Sequence, residues 1–162
     1  MMKNRLRLEN AININAILEV YIESEDFLSL GPKNKASIEM VNSDINYSKS
    51  HGYKYYEIKI ENETIGICDF CISGFEDIEE NGYINLIMIK ENKRNMGYGK
   101  LILGNIEKEI AHCKTNKIIA FVQTNNMKAI KFWENNGYQK TSNEILNEDM
   151  TIVYRMEKVF GK

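Results

Sequence analysis

Apolar residues recur at two periods along this chain, and the points where the period changes divide it into helices and strands. Residues 5 to 8 alternate as a short strand, after which Ile14, Ile17, Leu18 and Tyr21 step by three and four as one face of a helix. A second helix follows Pro32, where Ile38, Val41 and Ile45 repeat that spacing and stop before a His51-Gly52 turn. Strands then take over. The runs 55 to 60 and 64 to 72 flank the polar Glu61-Asn62-Glu63 turn and predict an antiparallel hairpin, followed by an acidic loop with Glu76, Asp77, Glu79 and Glu80. The run YINLIMI, 83 to 89, is apolar apart from Asn85, which marks a strand buried on both faces and hence a central one. From about Gly97, Ile102, Ile106, Ile110 and Cys113 trace a helix leading to a second buried run, 118 to 122, and strand-helix-strand is a parallel crossover. A last helix carries Ala129, Phe132 and Trp133 and stops at Asn136-Gly137, where glycine can take the left-handed cap. Alternation near 138 to 146 and 150 to 157 predicts two closing strands, so the whole reads as a mixed α/β sheet.

Length and composition narrow the setting. The 162 residues match one domain, 1 to 162, with no Pro/Gly/Ser-rich linker and no repeat. With 43% hydrophobic and 27% charged residues the chain can bury a core. The balance of 21 basic against 23 acidic side chains argues against a nucleic-acid partner, which calls for a basic surface. No apolar run approaches the roughly 18 residues that cross a bilayer, and the opening MMKNRLRLEN lacks the apolar stretch of a signal peptide. Cys68, Cys71 and Cys113 are too few for a disulfide framework, so a cytoplasmic location is expected. Cys68 and Cys71 form a CxxC, but residues three apart on a strand point to opposite faces, and His51 and His112 show no zinc spacing; no metal is expected.

The segment Lys90 to Lys100, KENKRNMGYGK, joins the central strand to a helix and places Gly97 and Gly99 at the helix start. The first N–H groups of a helix lack intrahelical acceptors, the dipole adds positive charge, and glycine lets a ligand approach, so this opening suits a phosphate or pyrophosphate. Lys90, Lys93, Arg94 and Lys100 add charge of the right sign. A Walker loop is excluded by Arg94 and Leu101 at the positions of its first glycine and its Ser/Thr, and a dinucleotide fingerprint by Ile102. What remains is Arg-x-x-Gly-x-Gly at 94 to 99.

That pattern resembles the acyl-coenzyme A loop of the GNAT acyltransferase superfamily, and NMKAIKFWENNGY, 126 to 138, resembles the family's later motif at the usual separation. The resemblance covers nearly the whole chain. It implies a GNAT fold, a mixed twisted sheet with a central splayed parallel pair and about four helices, and an acetyl-CoA dependent N-acetyltransferase. A homodimer is the assembly it implies.

By the same resemblance, the backbone of Ile87, Met88 and Ile89 pairs with the pantetheine arm. The amides of Asn95, Met96, Gly97, Tyr98, Gly99 and Lys100 hold the pyrophosphate, and Arg94 braces the loop. Asn126 matches a pantetheine contact and equally suits a helix N-cap, for which Thr124 and Asn125 compete. Phe132 and Trp133 fall in the family's aromatic pair. Trp133 stands where many members carry a tyrosine that protonates the leaving thiolate, and an indole N–H cannot act as that acid. The acceptor amine must become neutral to attack, yet the central strand offers no carboxylate; Asp69 on the preceding strand and Tyr83 are the catalytic candidates. Tyr21, Glu23, Glu25, Asp26 and Phe27 form an acidic and aromatic group able to receive a cation, or a solvated surface. The acceptor implied is a small cationic amine or a protein amino group. The alternative is a non-catalytic acyl-CoA binding module that keeps the cofactor motifs without acid or base.

Overall fold

The computed structural model describes residues 5–32, 35–111 and 113–160; His112 lies outside the described residues. Strands β1 (Leu6–Asn10), β2 (Lys54–Ile60), β3 (Glu63–Cys71) and β4 (Asn81–Ile89) follow one another antiparallel. β4 then pairs parallel with β5 (Lys117–Gln123), and β5 pairs antiparallel with β8 (Ile152–Val159). Two-residue strands β6 (Gln139–Lys140) and β7 (Ile145–Leu146) both lie against β8. The one parallel pair among the described residues encloses α4 (Tyr98–Ala111), as a crossover requires.

Helices α1 (Ile14–Ile22) and α3 (Ile38–Ser50) start at side-chain caps, Asn13 accepting from the Ala16 amide and Ser37 from the Met40 amide. Their apolar residues Ile17, Val20, Tyr21, Met40 and Val41 pack with Ile67 and Met88 on one side of the sheet. The larger core lies on the other side, where Ile102, Leu103, Ile106 and Ile110 of α4 and Trp133 of α5 (Met127–Asn135) meet Cys68, Phe70, Ile84, Ile118 and Ala120. A fifth helix, α2 (Glu25–Leu28), is a single turn, too short for any apolar period to mark. The span 138 to 146 is broken rather than one strand, because the Ser142 hydroxyl takes the Arg155 amide, 2.9 Å, in place of a ladder partner.

β4 carries a bulge. Asp69 of β3 faces Leu86 while Phe70 faces Ile84, so Asn85 is an extra residue. Beyond it Leu86 and Met88 turn to the α1/α3 core, and Ile87 and Ile89 to the α4 side. Close approach of β3 to β4 depends on Gly66, where a Cβ would run into the Met88 carbonyl oxygen. Gly66→Ala is therefore expected to cost about 1–3 kcal/mol by overpacking against backbone. Denaturant unfolding should show a lower midpoint at unchanged slope, and an unshifted midpoint would show that the strands yield freely.

The three cysteines are free: Cys68 is in the core and the half-buried Cys71 thiol donates to the Ser73 carbonyl, 2.9 Å. Among the described residues no helix is long and apolar enough to cross a membrane, and no group of three His, Cys, Asp or Glu is placed to hold a metal.

Candidate active site

The parallel pairing of β4 with β5 runs from Asn81–Lys117 to Ile84–Ala120 and stops one residue before the bulge. Past that point the two strands separate. The Lys90 amide donates to the Ile65 carbonyl across to β3, 2.9 Å. Backbone groups alternate along an antiparallel strand, so Met88 and Leu86 also address β3, while Ile87 and the Ile89 amide address the opened edge. On the facing strand the Gln123 side-chain oxygen is buried without a hydrogen bond, the one such side-chain atom among the described residues. An open strand edge is a place for a ligand's amide groups, and a buried acceptor without a partner calls for a donor.

The loop after β4 ends in a nest of donors. Asn95 and Gly97 both adopt positive φ, 61° and 84°, and α4 begins with the Leu101 amide donating to the Gly97 carbonyl, 3.2 Å. Among the described residues none of the amides from Asn95 to Lys100 donates to a protein acceptor. Successive amides turned outward by left-handed residues, at the positive end of a 14-residue helix, form an anion-binding concavity. A Cβ on Gly97 would meet nothing within 4 Å, so the space in front of the loop is open; one on Gly99 would press on the Phe132 ring at 3.1 Å. Gly99 thus lets α4 start against α5.

Arg94 braces this loop from behind. Its Nε donates to the Ile89 carbonyl, 2.9 Å, and its two terminal nitrogens grip both oxygens of Asp26, 2.5 and 3.1 Å. The guanidinium holds the Asp26 carboxyl below the usual carboxylate range. The neighbouring Lys90 ammonium is buried, 3.7 Å from both Glu19 and Glu23, and the Glu91 amide donates to the Glu23 carbonyl. This changes the reading of the acidic segment on α1 and α2. Asp26 and Glu23 are spent on the loop, Glu25 accepts the Ala36 amide, and the Tyr21 hydroxyl is buried against Asp44 and Tyr55. The segment is a mount for the loop, not an open cation site.

Asn126 caps α5, its side-chain oxygen accepting the Ala129 amide at 3.1 Å, and Thr124 and Asn125 do not share the task. Its side-chain nitrogen keeps its donors for another partner. Trp133 is 7% exposed and packs edge-on against Phe132 and Tyr138, centroids 5.3 and 4.8 Å away.

Asp69 and Tyr83 are joined by Asn85. The Tyr83 hydroxyl donates to the Asn85 side-chain oxygen, 2.9 Å, and the Asn85 nitrogen donates to one Asp69 oxygen, 2.8 Å. The Ser48 hydroxyl of α3 donates to the other, 2.6 Å. Asp69 is 1% exposed; burial raises its pKa, against which both donors pull. Burial also pushes the Tyr83 phenol up, so it stays protonated at neutral pH. Around Tyr83 stands an aromatic wall: Phe75 stacked at 4.1 Å, Tyr53 at 5.8 Å and Phe121 at 5.9 Å.

The model of the Acetyltransferase (GNAT) family matches residues 16–138, from α1 through the helix bearing Asn126 and Trp133. The chain belongs to the GNAT acetyltransferase family. No curated protein sequence matches it. Solved structures do: an acetyltransferase from Thermus thermophilus superposes with TM-score 0.80 at 18% identity, covering 99% of this chain and 100% of that one. The PaiA N-acetyltransferase from Thermoplasma acidophilum, in complex with coenzyme A, gives 0.68 at 17%, covering 96% and 99%. YncA from Salmonella typhimurium, whose structure holds its cofactor acetyl-CoA, gives 0.68 at 12%, covering 98% and 96%.

Within this GNAT fold, sequence reasoning predicts the central parallel pair and the glycine-bearing loop, reads Asp26 only as one of an acidic group, and misses Ser48 and Gln123. Asp26 lies 68 positions from Arg94 and Ser48 lies 21 from Asp69, with no period or motif linking them. Asn85 did carry a signal, as the one polar residue in an apolar strand.

Proposed function

We propose that this GNAT chain transfers an acetyl group from acetyl-CoA to a primary amine, carried by a small cationic molecule or a protein amino group. The observation that carries the reading is the row of unpartnered amides from Asn95 to Lys100, continuous with the open edge of β4. Acetyl-CoA, when bound, supplies the thioester. Its pyrophosphate fits the nest of Asn95, Met96, Gly97, Tyr98, Gly99 and Lys100 amides, behind which Arg94 is fixed. Its pantetheine amides fit the backbone of Ile87 and the Ile89 amide, the Met88 backbone being turned to β3 instead, with the free donors of Asn126 and the unpaired Gln123 oxygen as side-chain partners and Phe132 beside the helix start.

The acceptor nitrogen bonds to the thioester carbonyl carbon and the carbon–sulfur bond breaks, releasing a thiolate. With its hydrogen committed to Asn85, the Tyr83 oxygen has lone pairs left to accept an amine N–H and aim the nitrogen lone pair, while the amine's surplus proton passes to water. The aromatic wall of Tyr53, Phe75, Tyr83 and Phe121 attracts a cationic or apolar amine body. Asp69, in the same chain of bonds, completes the polar end of the site.

Calorimetric titration with acetyl-CoA tests the cofactor half, with desulfo-coenzyme A and ATP as controls. Binding that survives loss of the sulfur and is not matched by ATP supports it, and no binding refutes it. Free thiol release with a panel of amines tests the transfer. Trp133 in place of an acid favours one second reading, a non-catalytic acyl-CoA binding module, which binds and shows no release with any amine. Trp133→Tyr is expected to raise turnover about tenfold at a modest loss of stability, since a positioned acid contributes up to ~10²–10⁴ and a thiolate already leaves tolerably. Unchanged turnover would show that water protonates the sulfur fast enough.

A further inference from the structure

We propose that Asp69 is a positioning residue for the cofactor edge: acting through Asn85, it holds the bulge at which β4 parts from β5. This rests on the reading of that edge as the pantetheine site. Four observations converge on it. Asn85 is the extra residue of β4, and it lies directly after the last β4–β5 pair, so the separation of the strands begins at this residue. Its side chain is fastened at both ends, giving to Asp69 at 2.8 Å and receiving from Tyr83 at 2.9 Å. Asp69 is itself fixed from α3, because its other oxygen accepts Ser48 at 2.6 Å, and the carboxylate is 1% exposed. Ile87 and Ile89, further along the strand, are the residues whose backbone is to meet pantetheine.

The chemistry of the chain of bonds favours positioning over proton transfer. An amide neither gains nor loses a proton near neutral pH, so Asn85 does not pass a proton between Tyr83 and Asp69. A carboxylate accepts from two donors at once, one per oxygen, and this is the work Asp69 does. An amide at position 69 can keep both ties by giving its NH2 to the Ser48 oxygen, since a hydroxyl accepts as well as donates, whereas alanine removes both. A bulge bends its strand and re-aims the residues beyond it, so slack at Asn85 appears as misplacement of the Ile87 and Ile89 backbone.

The experiment compares two probes. Coenzyme A carries both the nucleotide and the pantetheine arm; 3′-phosphoadenosine 5′-diphosphate carries the nucleotide end alone. Asp69→Ala is expected to weaken coenzyme A about tenfold or more while leaving the nucleotide within about twofold. Asn85→Ala, which leaves the carboxylate whole, is expected to do the same, and it stands in as the test if Asp69→Ala fails to fold. The double variant is expected to be no weaker than the worse single one, because both act on one tie. Equal loss of both probes would indicate general loosening and overturn the proposal. So would unchanged coenzyme A affinity, or additive effects of the two substitutions. If the wild-type protein binds coenzyme A no better than the nucleotide, the pantetheine reading itself falls and this inference falls with it.

Discussion

Gly97→Val is expected to weaken coenzyme A binding by at least about a hundredfold, or ~2.7 kcal/mol, the equivalent of one or two lost hydrogen bonds to a charged group. Two causes act together. Gly97 holds φ at +84°, where a β-branched residue is a steric outlier, so the nest of amides relaxes. The added side chain also enters the open space before the loop, where nothing lies within 4 Å of a Cβ. Gly97→Asn separates the two, since asparagine tolerates the left-handed region: stability should be kept while affinity still falls about tenfold. Calorimetry reads the affinity and circular dichroism the fold, and wild-type affinity in the valine variant would remove the loop from the cofactor site.

Arg94→Ala is expected to show a large effect on binding beside a small one on stability. The Arg94–Asp26 pair is partly exposed, at 26% and 42% of the side chains, and such pairs contribute about 1 kcal/mol or less to folding. Coenzyme A affinity should nevertheless fall about 10–100-fold, because the last β4 carbonyl, the loop and α2 lose their common anchor. Arg94→Lys should not restore it, as one ammonium cannot span two carboxylate oxygens and the Ile89 carbonyl. Arg94 depresses the Asp26 pKa, so the tie is complete above about pH 4, the unfolded value, and is lost as pH falls through the lower folded one. Equal losses of stability and affinity would recast Arg94 as an ordinary surface contact.

The fold was readable wherever burial imposes a period. Val41 and Ile45 mark α3, although Ile38 in the same period stays exposed, the apolar run from Tyr83 marks the central strand, and Asn136-Gly137 marks the end of α5, where Gly137 takes φ 91°. α2 was not readable, since one turn shows no period, nor was the split of 138 to 146, which a side-chain hydroxyl decides. The same division runs through the site. The donors of the loop are local and announce themselves as Gly97 and Gly99, whereas the ties that hold the loop and the bulge join residues distant in sequence, Arg94 with Asp26 and Asp69 with Ser48. The acidic residues near Asp26 were legible as charge but not as already paired.

The bulge also settles a choice the apolar pattern leaves open. Leu86, Ile87, Met88 and Ile89 are all aliphatic or thioether side chains, so sliding this segment by one residue would exchange the faces they present without exposing a single polar group. Hydrophobic burial is blind to that slip. Asn85 is not, because only one phase lets it reach Asp69 on the neighbouring strand. A single half-buried amide therefore helps set the reading frame of the central strand, beside the close approach at Gly66.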